Sequence, residues 1–154
     1  MKQKITISLI ILFLFTNCGF EVVNLAGNFN ITEIETTGNK AINFKLKNKL
    51  KFSSKNETTN SLKVNIQTKK DKVIKEKNIN NKITKYEINI TSKVEFVNLK
   101  SNFKNSFIVS KNGDYNVSSK YSDTLNNEKN LIDLLINDLS EEIIERLATG
   151  ISDL

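Results

Sequence analysis

The chain has one thiol, Cys18, and it stands where a run of apolar residues stops. With no second cysteine to pair with, the thiol of an exported chain is free, joined to another molecule, or modified. Bacteria put a cysteine in this setting to one well-known use: a diacylglyceryl group is attached to the sulfur and the chain is cut just before it. Phe15-Thr16-Asn17-Cys18 has the position and surroundings for that chemistry, which makes Cys18 the candidate lipidation site. Its acyl chains, palmitate among them, would hold the protein to a membrane surface at roughly 0.8 kcal/mol per buried methylene.

Little else in the sequence can do covalent chemistry. There is no histidine, which removes most metal sites, the Ser-His and Cys-His nucleophile pairs, and the commonest general base. Carboxylates remain. Glu141, Glu142 and Glu145 succeed one another along a helical stretch, where they read as a solvent face and not as the pair held across a cleft that carboxylate hydrolysis needs. The sequence points to a protein that is not an enzyme and that uses no cofactor and no metal.

The segment before Cys18 decides where the protein goes. Ile5 to Phe15 is almost wholly apolar, follows Lys2 and Lys4, and meets no acidic residue before Glu21. A bilayer core needs roughly 20 such residues, and this run has about 11. Too short to span, it reads as a secretory signal peptide over residues 1–17. The remaining stretch, 18–154, is the length of one periplasmic domain. The net charge is +6, but every basic residue except Arg146 is lysine, alongside abundant Asn and Ile. That bias matches AT-rich codon choice. A nucleic-acid partner would call for arginine forks and stacking aromatics, so nucleic acid is excluded, while attraction to anionic lipids or glycolipids remains.

The elements that would position these groups can be read from periodicity. Residues 28 to 36, opening on Phe29-Asn30-Ile31-Thr32, form an expected strand ended by Gly38-Asn39. In NKAINFKLKNKLKF, Ala41, Ile42, Leu46 and Leu50 recur at helical spacing, with Lys45, Lys47, Lys49 and Lys51 on the other faces. Leu62, Val64 and Ile66 alternate with polar residues as a half-buried strand. A charged stretch from Lys69 to Lys82 is expected to hold a turn. Tyr86, Ile88, Ile90, Ser92, Val94 and Phe96 then make the clearest strand, one face to a core and the other to solvent or a partner. Phe103, Phe107 and Val109 mark a further strand, Asn112-Gly113 a hairpin turn, and Tyr115, Val117 and Tyr121 a strand beyond it, the three segments forming an antiparallel meander. Finally Leu125 to Thr149 carries an apolar stripe from Ile132 to Leu147, with Asp123 or Thr124 as N-cap and Gly150 as the stop. The fold class is α+β: a roughly four-stranded, mostly antiparallel sheet with both helices on one face.

The start Cys18-Gly19-Phe20, a strand and short helix, then YEINITSKVEFV, YNVSSKYSD and a long acidic helix ending LSEEIIERLATG together resemble the LPS-assembly lipoprotein family, LptE, in its alphaproteobacterial type. The likeness spans essentially the whole chain after the leader. It implies a tether on the periplasmic face of the outer membrane and a role as plug for a large β-barrel partner, LptD, the pair moving lipopolysaccharide to the cell surface. That role needs no catalysis. For lipopolysaccharide contact the candidates are Lys75, Lys77, Lys82 and Lys120, which lie in or beside polar connections that a phosphate-bearing ligand can approach. The competing expectation is a free-standing periplasmic lipoprotein that binds a lipid or small ligand, which requires an enclosed apolar pocket of several hundred Å³.

Overall fold

A computed structural model describes residues 29–55, 58 and 60–152. Its elements are β1 (Asn30–Gly38), α1 (Lys40–Ser53), β2 (Ser61–Lys77), β3 (Ile83–Asn98), β4 (Lys104–Asn116) and α2 (Tyr121–Ser152). β1 and α1 meet at the expected turn. Gly38 has φ 95°, a conformation that side chains oppose, and a Cβ there would overlap the Thr68 carbonyl oxygen. Asn39 then caps α1, its Oδ1 accepting the Ile42 N–H at 3.1 Å.

The strands lie in the order β1-β2-β3-β4. β1 and β2 are parallel, joined through α1, and the other neighbours are antiparallel. One sheet face is apolar: Ile34, then Leu62, Val64 and Ile66, then Ile88, Ile90, Val94 and Phe96, then Val109. Ile42, Leu46 and Leu50 of α1 and Leu139, Ile143 and Leu147 of α2 complete the same core. At 1.5 Å per residue the 32 residues of α2 run about 48 Å, enough to cross the whole sheet. Most of its contacts fall on β4, α1 and β3, and Glu128 adds an ion pair to β2. The α+β sheet with two helices anticipated from the sequence is therefore present. One buried polar node escaped the apolar periodicity. Asn43 donates to the Thr37 carbonyl at 3.0 Å and accepts from the Thr68 hydroxyl at 2.6 Å, pinning the start of α1 to β1 and β2.

One expectation is narrowed and three need correction. The charged stretch after Lys69 holds its turn but is otherwise mostly strand, because its charges pair. Glu76 faces Lys85 at 3.1 Å, and Lys75 reaches Glu87 at 3.2 Å, cross-strand attractions that offset the lack of apolar burial. The turn is confined to the tip, where Asn78 Oδ1 accepts the N–H groups of Asn80 and Lys82 and Asn81 takes φ 60°. Second, Asn112-Gly113 is no hairpin: β4 runs straight through it, paired with Asn89 and Ile88, so the meander has one strand fewer than expected. Gly113 instead makes room for α2, since a Cβ there would sit 2.7 Å from Leu131 Cδ1. Third, Tyr121 opens α2 and is exposed. Thr124 acts from inside the first turn, its hydroxyl accepting the Ser118 N–H at 2.9 Å. Fourth, α2 passes through Gly150, where a Cβ would lie 3.1 Å from Phe96 Cζ. Both misread glycines are places of close packing.

Two substitutions test this packing by urea denaturation. Gly38→Ala is expected to cost about 2 kcal/mol or more, from overlap and strained φ together. Among the described residues the buried Ser92 hydroxyl has no hydrogen-bond partner, so Ser92→Ala is expected to leave stability unchanged or raise it by up to about 1 kcal/mol. A clear loss in Ser92→Ala would contradict the assignment of that hydroxyl as unsatisfied.

Candidate functional site

Three of the four lysines singled out from the sequence lie on the far part of the β2–β3 hairpin, Lys75 and Lys77 closing β2 and Lys82 in the tip. The fourth, Lys120, sits just before α2. The Val117 N–H donates to the Thr84 carbonyl at 2.9 Å, which brings the β4–α2 connection to the same end of the sheet. The fold thus gathers all four at one end. They are not equivalent there. Lys75 Nζ lies 3.0 Å from Asp114 Oδ1 and 3.2 Å from Glu87. Its hydrogen bond to Asp114, and then that to Glu87, holds the ammonium pKa above its ordinary value, and the same Lys75 bond holds the Asp114 carboxyl below its own. Among the described residues Lys77, Lys82 and Lys120 have no ion-pair partner. Those three are available to a phosphate.

Behind this end lies a cluster that periodicity did not reveal. On the helix-covered face β2 changes from Ile66 and Thr68 to Lys70 and Lys72, and α2 answers with Glu128. Lys72 Nζ is 2.6 Å and Lys70 Nζ 3.8 Å from the Glu128 carboxylate, which also accepts the Tyr115 hydroxyl at 2.8 Å. Tyr115 stacks on Tyr86 with ring centroids 5.7 Å apart, and the Lys72 ammonium lies 4.4 Å over the Tyr86 ring. Burial is the largest single influence on both charges and opposes each. The hydrogen bonds prevail: Glu128 is held below its ordinary value and Lys72 above.

Among the described residues nothing covers the other sheet face, which is mostly polar. Thr91 and Ser110 hydroxyls are 3.0 Å apart, Ser110 donates to Asn89 Oδ1 at 2.9 Å, and Lys63 bridges Glu33 and Glu35 at 3.0 and 3.1 Å. A cleft of about 590 Å³ between α2 and β4 is lined by Lys111, Asp138, Glu141, Glu142, Glu145 and Arg146. It is open and charged, unlike the apolar pocket that a free-standing lipid binder requires. Within it Glu142 is 2.7 Å from both Lys111 and Arg146. The Lys111 hydrogen bond comes first among the effects that keep Glu142 below its ordinary value.

Cys18 lies outside the described residues. The chain enters the domain at the end opposite the hairpin tip: Asn30 pairs with Ser61 at the start of β2, whereas Lys77 pairs with Ile83 at the tip. Among the described residues no helix is long and apolar enough to cross a membrane.

The Glu128 cluster gives a signed pH dependence. Because the folded chain keeps Glu128 below the ordinary glutamate value of about 4.3, the unfolded chain binds the extra proton as pH falls past that value. The stabilisation is in place above it and is lost as pH drops through the folded value. Glu128→Gln is expected to destabilise by about 1–2 kcal/mol at neutral pH. In urea titrations the gap from the unaltered chain should narrow below about pH 4.3. A gap that does not change with pH would contradict the ionised pairing.

Comparison with known proteins adds identity to this geometry. The family model LptE, Lipopolysaccharide-assembly, matches residues 27–147. Among solved structures, a lipoprotein candidate from Caulobacter crescentus is 8% identical, with 84% of this chain and 93% of that chain covered, at a TM-score of 0.56. Lipoprotein B from Nitrosomonas europaea is 11% identical over 81% and 88% of the two chains, at 0.52. A minor lipoprotein from Acinetobacter baumannii is 11% identical over 77% and 93%, at 0.50. At such identities these structures establish the fold alone. A search of curated protein sequences finds no match. The family model spans most of the chain, from before β1 to the last turns of α2, and on that ground the chain belongs to the LptE family of lipopolysaccharide-assembly proteins.

Proposed function

We propose that the protein is a lipid-anchored plug for an outer-membrane β-barrel of the LptD type, and that the pair delivers lipopolysaccharide to the outer leaflet. Cys18 carries the anchor, on the periplasmic face of the outer membrane. The observation that carries the reading is the family match over residues 27–147, and the uncovered polar sheet face supports it. Barrel lumens are polar and wet, so a domain meant to sit inside one needs no apolar outer surface. Here the exposed face is mostly hydroxyl, amide and ion-paired side chains, with Val73 and Ile108 as its exposed apolar positions. Size bears on the partner as well. Four strands about 4.8 Å apart, with one helix layer of about 10 Å on top, do not fit an eight-stranded barrel, whose interior its own side chains fill. The partner is a large one.

Lys77, Lys82 and Lys120 are the residues that meet lipopolysaccharide phosphates in this reading, through charge-assisted hydrogen bonds. Lys75 would join them only by giving up Asp114 and Glu87. Catalysis has no part in the role; the protein supplies shape, charge and a tether.

The experiment is detergent extraction of native outer membranes followed by pulldown on this chain. A large β-barrel protein is expected in stoichiometric amount. Recovery of the chain alone would overturn the plug reading.

A further inference from the structure

The end of the domain where the chain enters from Cys18 has its own surface chemistry. Several hydrogen bonds gather its parts: Lys55 N–H to the Phe29 carbonyl at 3.0 Å, Asn30 N–H to Asn60 at 2.8 Å, and Leu99 N–H to Ser61 at 2.8 Å. The last turn of α1, the start of β2 and the β3–β4 turn therefore share this end. Phe52 is 93% exposed and Leu99 50% exposed. Lys51 and Lys55 at the end of α1 and Lys100 and Lys104 at the β3–β4 turn share this end, all exposed and none with an ion-pair partner among the described residues, while Glu141 of α2 borders the cleft that Phe52 lines. The nearby strand carboxylates Glu33 and Glu95 are already paired, with Lys63 and Lys93.

We propose that this end docks on an anionic phospholipid surface, Phe52 and Leu99 at the interface and the four lysines toward the head-group phosphates. The inference rests on the Cys18 anchor and extends it. From Cys18 to Phe29 the chain reaches at most about 40 Å, so the end that receives the tether is the one kept near the lipid. Aromatic rings favour the membrane–water interface, and basic clusters beside an anchor add a second attachment that acyl chains alone lack. The opposite end offers a control, because Ile79 at the hairpin tip is equally free of cover.

The chain contains no tryptophan, so one introduced indole reports alone. Lipidated full chains carrying Phe52→Trp or Ile79→Trp are reconstituted with vesicles of phosphatidylethanolamine and phosphatidylglycerol, with and without lipids brominated on their acyl chains, and separated by flotation. Trp at position 52 is expected to shift to shorter wavelength and lose emission to the brominated lipid, while Trp at position 79 keeps the emission of a solvated indole. Replacing Lys51, Lys55, Lys100 and Lys104 together by Gln should abolish the quenching at position 52 without preventing flotation. Floating chains in which position 52 is no more quenched than position 79 would overturn the docking and leave the anchor standing. Chains that fail to float would overturn the anchor and the docking with it.

Discussion

A single carboxylate, Glu128, extends the helix-covered face of the sheet beyond the reach of its apolar residues. Along β2 that face runs Leu62, Val64, Ile66, Thr68 and then Lys70 and Lys72, so the last part of it would place two ammonium groups under α2 with nothing to balance them. Charge that is even partly withdrawn from water is costly to leave without a partner, and here Lys70 is half-buried while Lys72 keeps more of its exposure. Glu128 supplies the balance. It binds both lysines and the Tyr115 hydroxyl, and the stacked rings of Tyr115 and Tyr86 fill the space beside them. The first turns of α2 are thereby fastened to β2, β3 and β4 at once, and the hairpin beyond them leaves the body of the domain from a fixed base.

That base gives the molecule two different ends. At one, the core closes under α1 and the chain departs toward Cys18; at the other, a hairpin projects with Lys77 and Lys82 beside Lys120. Along the sheet between them, charges are largely cancelled by their neighbours, as with Lys63, Lys75, Lys85 and Lys93. Among the described residues, lysines without an ion-pair partner gather at both ends, with Lys40, Lys47, Lys49 and Lys129 on the helices as well.

The elements that were legible in the sequence are those whose side chains alternate or recur against a core. Tyr86 to Phe96 and the stripe from Ile132 to Leu147 pack as their spacing dictates. Where residue type carried the inference instead, the outcome depended on partners far away in sequence. Gly113 and Gly150 look like chain-reversing signals, yet each is small because a helix or a ring comes close to it. The stretch after Lys69 lacks the alternation of the core strands because its strand contacts are ionic and lie on β3 and β4. Asn43 has no apolar signal of its own, and only Thr37 and Thr68 across the turn explain its burial. The candidate lysines were chosen singly, as residues in polar connections. Their grouping at one end, and the commitment of Lys75 to Asp114 and Glu87, come from the pairing of strands and could not be read from spacing. Cys18 is the reverse case, a candidate that rests on sequence context alone and lies outside the described residues.

With the Glu128 cluster as its base, the hairpin is held as a rigid extension of the sheet, and amide hydrogen exchange measures this residue by residue. Amides of the stem from Lys72 to Ile74 and Lys85 to Glu87 are expected to exchange nearly as slowly as those of the central strands, with only the tip from Asn78 to Lys82 fast, and Glu128→Gln is expected to accelerate the stem selectively. Stem amides that exchange as fast as the tip in the unaltered chain would contradict that rigidity.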